Sequence, residues 1–284
     1  MRLVIVGGVA GGMSCAARAR RLDESADIIV LERGEHVSFA NCGLPYFVGG
    51  EITDPAKLLV QTPDSLRAAL NLDVRPGHDV TAVDPQRREV LVQTPTGEQR
   101  ISYDALVLAP GAHALRPPID GLDSPRVRTL RTVADALALR GSVNRGATRA
   151  VVLGAGFIGL EAAEALAGAG LTVSVVELAE HVLPPVEPEL ASLVSEELGR
   201  LGISVRTGVA ASAIEPGEDH DVVVLADGSR LDADLVVLSV GVRPDTEAFA
   251  SAGIERDRGA IVVDEHGRTS VPGIWAVGGR HRQH

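Results

Sequence analysis

The sequence predicts an α/β fold built from two similar three-layer domains, and three observations carry that prediction. An apolar run that opens into a glycine-rich turn and a helical segment occurs twice, at residues 2–22 and 150–168. Each copy is followed by a second apolar run ending in glutamate, Glu32 and Glu177. Each is then followed by a stretch in which apolar and polar residues alternate, from His78 to Gly111 and from Ser204 to Gly241. Alternation is the signature of half-buried strands, whereas strand, helix and strand in succession signals a parallel sheet. A length of 284 residues is enough for two compact domains.

Along the chain, RLVIV (2–6) reads as a short buried strand. A basic start followed by an apolar stretch superficially suggests a signal peptide. The stretch is short, glycine-rich and followed by the helix-like AARARRL, so a buried first strand is expected instead. The turn GGVAGG follows, comprising Gly7, Gly8, Val9, Ala10, Gly11 and Gly12. Gly7 and Gly12 fill the first and third glycine positions of G-x-G-x-x-G, and Val9 takes the second. Glycines there let the backbone turn tightly and approach a pyrophosphate, whose charge sits at the helix N-terminus. Glu32 ends the next strand 20 residues after Gly12, where an acid binds ribose hydroxyls.

The segment SFANCGLPY comes next, with Cys42 followed by Gly43 and Pro45, which fit a turn into a short helix. A cysteine at the positive end of a helix is placed for nucleophilic use. From His78 to Gly111 the turn signals Asp84-Pro85 and Pro95-Thr96-Gly97 divide an antiparallel meander that leads to a buried strand, Ala105–Leu108. The second fingerprint, AVVLGAGFIGLEAAEALAGAG, sets Gly154, Gly156 and Gly159 in full register. Glu177 follows Gly159 by 18 residues. An acid at this point accepts a free 2′-hydroxyl and repels a 2′-phosphate, so NADH is expected over NADPH. SVRTG, DVVVLADGS and DLVVLSVG then repeat the meander texture and the returning strand. Both units thus read as Rossmann-like.

Composition excludes several classes. The chain is 45% hydrophobic but only 2% aromatic, so aliphatic side chains must fill the core. A net charge of −11 argues against nucleic-acid binding on a general basic surface. Lys57 is the single lysine among the basic residues. No apolar run reaches the roughly 18 residues of a membrane span. Two cysteines make no disulfide scaffold, and reduced thiols suit a cytoplasmic protein. The scattered histidines show no metal-ligand spacing. Cys15, one turn along the first helix, reads as a packing residue. A lone Cys42 cannot close an internal disulfide. Its oxidised forms are a mixed disulfide, a persulfide or a sulfenic acid.

The flavin-type turn, SFANCGLPY, GAGFIG and TSVPGIWAVG together resemble the pyridine nucleotide–disulfide oxidoreductases, over nearly the whole chain. The single cysteine within SFANCGLPY resembles the branch of coenzyme A-disulfide reductases, NADH oxidases, peroxidases and persulfide reductases. The resemblance implies an FAD-binding domain at 1–113 and 245–284 and an NAD(H)-binding domain at 114–244. It implies Cys42 as the redox centre. It implies cofactor contacts at the two turns with Phe157 and Ile158, and at Glu32, Arg33, Asn41, Val80, Gly111, Glu177, Gly241 and Gly278. It also implies contacts with a small-molecule disulfide, such as coenzyme A disulfide, at Ser14, Arg18, Arg21, Ser38 and Asn41. Arg18 and Arg21 lie three apart, so they share a helix face that can offer guanidinium groups to phosphates. The implied activity passes electrons from NADH through flavin to Cys42 and on to the disulfide. Alternatives are NADH oxidase, peroxidase or persulfide reductase chemistry, and, from another class, a nucleotide-binding fragment without turnover.

The end of the chain departs from the family pattern. Gly279 stands where the family carries an aspartate that holds the flavin ribityl chain. Loss of such a hydrogen bond costs about 1–3 kcal/mol. The family continues into a further helix and a dimerisation domain, so the usual homodimer surface is expected to be missing.

Overall fold

The computed structural model describes residues 1–278; Gly279 and the tail RHRQH, on which the ribityl-aspartate expectation rests, lie outside the described residues. Strand β1 (Arg2–Val6) runs into helix α1 (Ala10–Leu22) and returns as β2 (Asp27–Glu32). Helix α2 (Gly43–Gly49), a 3-10 turn Pro55–Leu58 and helix α3 (Pro63–Leu70) follow. Next come β3 (Asp73–Pro76), the meander β4 (Asp79–Asp84), β5 (Glu89–Thr94) and β6 (Gly97–Ser102), then β7 (Ala105–Leu108) and β8 (Ala112–Ala114).

The plan then repeats. After β9 (Val127–Arg128) and α4 (Val133–Asn144), β10 (Arg149–Leu153), α5 (Phe157–Gly168) and β11 (Thr172–Val176) form the second β–α–β. Helix α6 (Pro188–Arg200), β12 (Ser204–Arg206), the meander β13 (Ala211–Glu215), β14 (Asp221–Leu225), β15 (Arg230–Ala233), and β16 (Leu235–Leu238) complete it. The chain closes through β17 (Val242–Pro244), the pair β18 (Arg256–Asp257) and β19 (Ala260–Ile261), and β20 (Ile274–Ala276).

Two compact units result: residues 1–39, 59–113 and 243–284, and residues 40–58 with 114–242. The first holds a parallel sheet in the order β20-β7-β1-β2-β3, the second a parallel sheet in the order β12-β11-β10-β16-β9. Alternation along the strands makes the layers. In the first unit Val4, Val6, Ile29 and Leu31 face the meander residues Val80, Val90, Val92 and Ile101. Leu3, Ile5, Ile28 and Val30 face Met13 and Ala16 of α1 and Leu66 of α3. In the second unit Val151, Leu153 and Val176 pack on Ile214, Val223 and Leu225 of its meander. Burying each such aliphatic side chain contributes about 1.5–3 kcal/mol. Helix ends carry their own signals: Thr62 and Ser65 form a reciprocal cap on α3, and Thr132 and Asp135 do so on α4.

Two expectations need correction. Segment 40–58, expected within the first domain, packs in the second unit: α2 buries Leu44, Phe47 and Val48 and lies against α4 and α5. Ser204–Arg206, read as meander, pairs in parallel with β11 at the edge of the second sheet. The meander begins instead at Ala211–Glu215.

Candidate functional site

In the first unit the turn forms because β1 must hand over directly to α1. Gly7 has φ +101°, and a Cβ there would clash with the Ala109 carbonyl oxygen at the end of β7. A Cβ on Gly12 would enter the Gly7 carbonyl. The Glu32 carboxylate closes the turn: Oε2 accepts from the Gly8 N–H (2.6 Å) and Oε1 from the Gly34 N–H (2.8 Å). Gly11 lies against Gly278, whose φ is +78°. The Ser38 N–H donates to the Gly8 carbonyl (2.8 Å) while Ser38 holds the left-handed φ of +46°. Such a conformation in a non-glycine residue costs energy and concentrates at functional sites.

The second unit repeats the glycine and glutamate contacts of this turn. Gly154 has φ +101° against the Ser239 carbonyl, and Gly159 sits over the Gly154 carbonyl. Glu177 accepts from the Ala155 N–H (2.6 Å) and the Ala179 N–H (2.8 Å). Gly156 differs from its neighbours. Its φ of −76° suits any residue, and a Cβ there meets no atom within 4 Å. Among the described residues nothing demands glycine at that point, and the bare backbone leaves room for a close-approaching ligand. Helices of 13 and 12 residues begin at the two turns and aim their N-termini at them. Both carboxylates keep lone pairs free for ribose hydroxyls. The residues present therefore fit two dinucleotides.

Cys42 is exposed at the N-cap of α2, with Asn41 exposed beside it. The Gly43 N–H donates to Ala40 and the Leu44 N–H to Asn41, winding the helix start. Leu58 packs 3.1 Å from where a Gly43 Cβ would stand, so glycine admits it. At the other end, Gly49 approaches the Ala165 backbone of α5, and the Arg140 guanidinium of α4 donates to the Val48 carbonyl (3.1 Å). The helix that carries the thiol is thus fastened to the helix that starts at the second turn.

Other expected positions fall as follows. Ser14, Arg18 and Arg21 are exposed along one face of α1. Phe157 and Ile158 stand exposed at the start of α5. The side chain of Val80 is committed to the meander core. Arg33 donates to the Asp245 carboxylate. Gly111 and Gly241 hold φ values of +71° and +113° in connecting segments, and Val9 and Ala10 sit at the start of α1. Cys15 packs on the first unit's core, and burial pushes its thiol up from the ordinary value. Sequence reasoning missed the backbone donors Gly34, Ala155 and Ala179. The regular two-residue step from each glutamate to a donor was the available signal.

The chain is 34% identical over 281 residues to the NADH oxidase of Methanocaldococcus jannaschii, covering 98% of this chain and 62% of that one. It is 33% identical to the coenzyme A disulfide reductase of Staphylococcus haemolyticus, with the same coverage. The structure of an NAD-dependent persulfide reductase from A. fulgidus superposes with a TM-score of 0.94 at 37% identity, covering 97% of this chain and 52% of that one. The chain therefore spans less than two thirds of the length of these relatives. A family model matches residues 1–282. By that match and these relatives, the chain belongs to the pyridine nucleotide-disulphide oxidoreductase family.

Proposed function

We propose that the chain is the dinucleotide-binding part of an FAD- and NADH-dependent oxidoreductase that reduces a small disulfide, such as coenzyme A disulfide, at Cys42. The observation that carries this reading is the attachment of the exposed Cys42 helix to the helix that opens at the second glycine turn. The names of the relatives, an NADH oxidase, a coenzyme A disulfide reductase and an NAD-dependent persulfide reductase, support it.

In this reading Gly7–Gly12 and the α1 N-terminus hold the FAD pyrophosphate and Glu32 its ribose. Gly154–Gly159, the α5 N-terminus and Glu177 do the same for NADH, with Phe157 and Ile158 as apolar cover. Bound flavin supplies the two-electron relay between nicotinamide and sulfur. The Cys42 thiolate attacks one sulfur of the substrate and expels the other half as a thiolate, leaving a mixed disulfide. Two electrons originating in NADH cleave it and restore Cys42, so that NADH, one proton and one disulfide give NAD⁺ and two thiols. Ser14, Arg18, Arg21, Ser38 and Asn41 offer hydroxyl, guanidinium and amide donors to a phosphorylated substrate.

The exposure of Cys42 favours a second reading. Peroxide would oxidise the thiolate to a sulfenic acid, and NADH-derived electrons would return it to thiol with release of water. A third, a nucleotide-binding fragment without turnover, is separated by flavin content. The purified chain is expected to be yellow and to consume NADH when coenzyme A disulfide is added. Cys42→Ser should abolish that consumption while NADH binding persists. Unchanged disulfide turnover in Cys42→Ser would refute the assignment; turnover with peroxide alone would favour the second reading, and a colourless chain that binds NADH the third.

A further inference from the structure

Sheet order places three chemistries in a row at the C-terminal edge of the second sheet. The glycine turn follows β10, Glu177 follows β11, and Arg206 ends β12, which is the next strand outward. The Glu177 N–H donates to the Arg206 carbonyl (2.8 Å), so the two residues are direct neighbours across the strand pair. On the nucleotide reading, Arg206 stands one strand outward from the ribose-binding Glu177. An open groove of about 720 Å³ borders Arg206 and is lined by Leu178, Arg206, Gly208 and Asp227 among others.

Arg206 does not face this groove as an unopposed cation. Its Nη1 donates to Ser229 Oγ (3.1 Å). Ser229 in turn donates from its N–H (2.9 Å) and its hydroxyl (2.6 Å) to Asp227 Oδ1. Asp227 is exposed, and its carboxyl sits below the usual range through Ser229 first and Arg206 after it. The Glu180 carboxylate lies 3.7 Å from the Cβ position of Gly208, which lines the groove. One guanidinium is therefore bonded to a serine that an aspartate in turn holds on the β14–β15 turn.

We propose that Asp227, acting through Ser229 on Arg206, is a specificity-determining residue that closes this groove to a 2′-phosphorylated adenosine. This rests on the nucleotide reading of the second turn and adds to it. Rejection of a 2′-phosphate then belongs to two adjacent strand ends. Glu177 repels it directly, and Asp227 restrains the cation one strand outward from it.

The test uses the full chain and two probes that differ only in the 2′-phosphate, adenosine 5′-monophosphate and adenosine 2′,5′-bisphosphate, with binding measured by titration calorimetry. Asp227→Asn is expected to raise the affinity ratio of bisphosphate to monophosphate by about tenfold, and the gain should shrink as salt is added. Adding Arg206→Gln to Asp227→Asn should remove the gain while monophosphate binding stays as it was. A ratio unmoved by Asp227→Asn, or a gain that survives Arg206→Gln, overturns the inference and leaves the nucleotide reading standing. Failure of the unmodified chain to bind monophosphate or NADH overturns both. All three side chains are at the surface or half-buried on a hairpin turn and a strand end, and circular dichroism on each variant confirms that the fold is intact before ratios are compared.

Discussion

The two glycine turns share their first glycine, their third glycine, and a glutamate that receives two backbone N–H groups, and they differ at the position between. Val9 occupies that position in the first unit and Gly156 in the second. Both turns nevertheless keep a φ of +101° at the first glycine and the same helix start, with the Met13 N–H donating to Val9 and the Leu160 N–H to Gly156. The first and third glycines therefore answer to the fold, because a carbonyl oxygen occupies the space of their missing Cβ. The middle one has no such neighbour among the described residues. Below the turns the sheets are latched alike. Asp104 and Asp234 each exchange a pair of hydrogen bonds with the main chain of Arg2 and Arg149. The Arg149 guanidinium returns to the same Asp234, whereas that of Arg2 goes to Asp27.

The largest expected effect breaks both turns equally. Gly12→Ala and Gly159→Ala each push a methyl group into a carbonyl, so each should cost about 3 kcal/mol or more in urea unfolding. Wild-type stability in either variant would mean that the turn is not held as described. The latches should part company next. The Arg149 guanidinium, then the Thr148 hydroxyl and N–H, hold the Asp234 carboxyl well below the usual carboxylate range. A depressed carboxyl contributes stability above its unfolded pKa of about 3.9 and loses it as pH falls through that value toward the folded one. Asp234→Asn should therefore cost about 1–3 kcal/mol at neutral pH. The difference from wild type should be flat from about pH 5 to 8 and should shrink below about pH 4. Asp104→Asn, with fewer bonds to lose, should cost less; equal costs would remove the distinction between the latches. The smallest effect sharpens the comparison most. Gly156→Ala should change stability by less than about 0.5 kcal/mol yet weaken NADH binding by about tenfold, or ~1.4 kcal/mol. Undiminished binding would show that the middle glycine serves no ligand.

What could be read from the residues follows from range. Strand, turn, helix and acid lie within some 30 residues of each other, and their spacing alone places Gly7, Gly12 and Glu32, or Gly154, Gly159 and Glu177. The first meander was legible because its turn signals are local. Residues 40–58 were not, because α2 is only seven residues long and the partners that bury Phe47 and Val48 are helices about a hundred residues away in sequence. Ser204–Arg206 has the same texture as a meander strand, and only its parallel pairing with β11 tells them apart. Ala211–Glu215 was overlooked because alanine and serine blur the alternation. Arg206 had no signal at all, since its meaning comes from the strand beside it.

The 3-10 turn Pro55–Leu58 has a practical side. Lys57, exposed on it, carries the chain's single side-chain amine. Amine-directed dyes, tethers or surfaces that spare the α-amine will attach there alone, within the same segment as Cys42. The protein can thus be immobilised in one defined orientation through that amine, without engineering the sequence for amine selectivity.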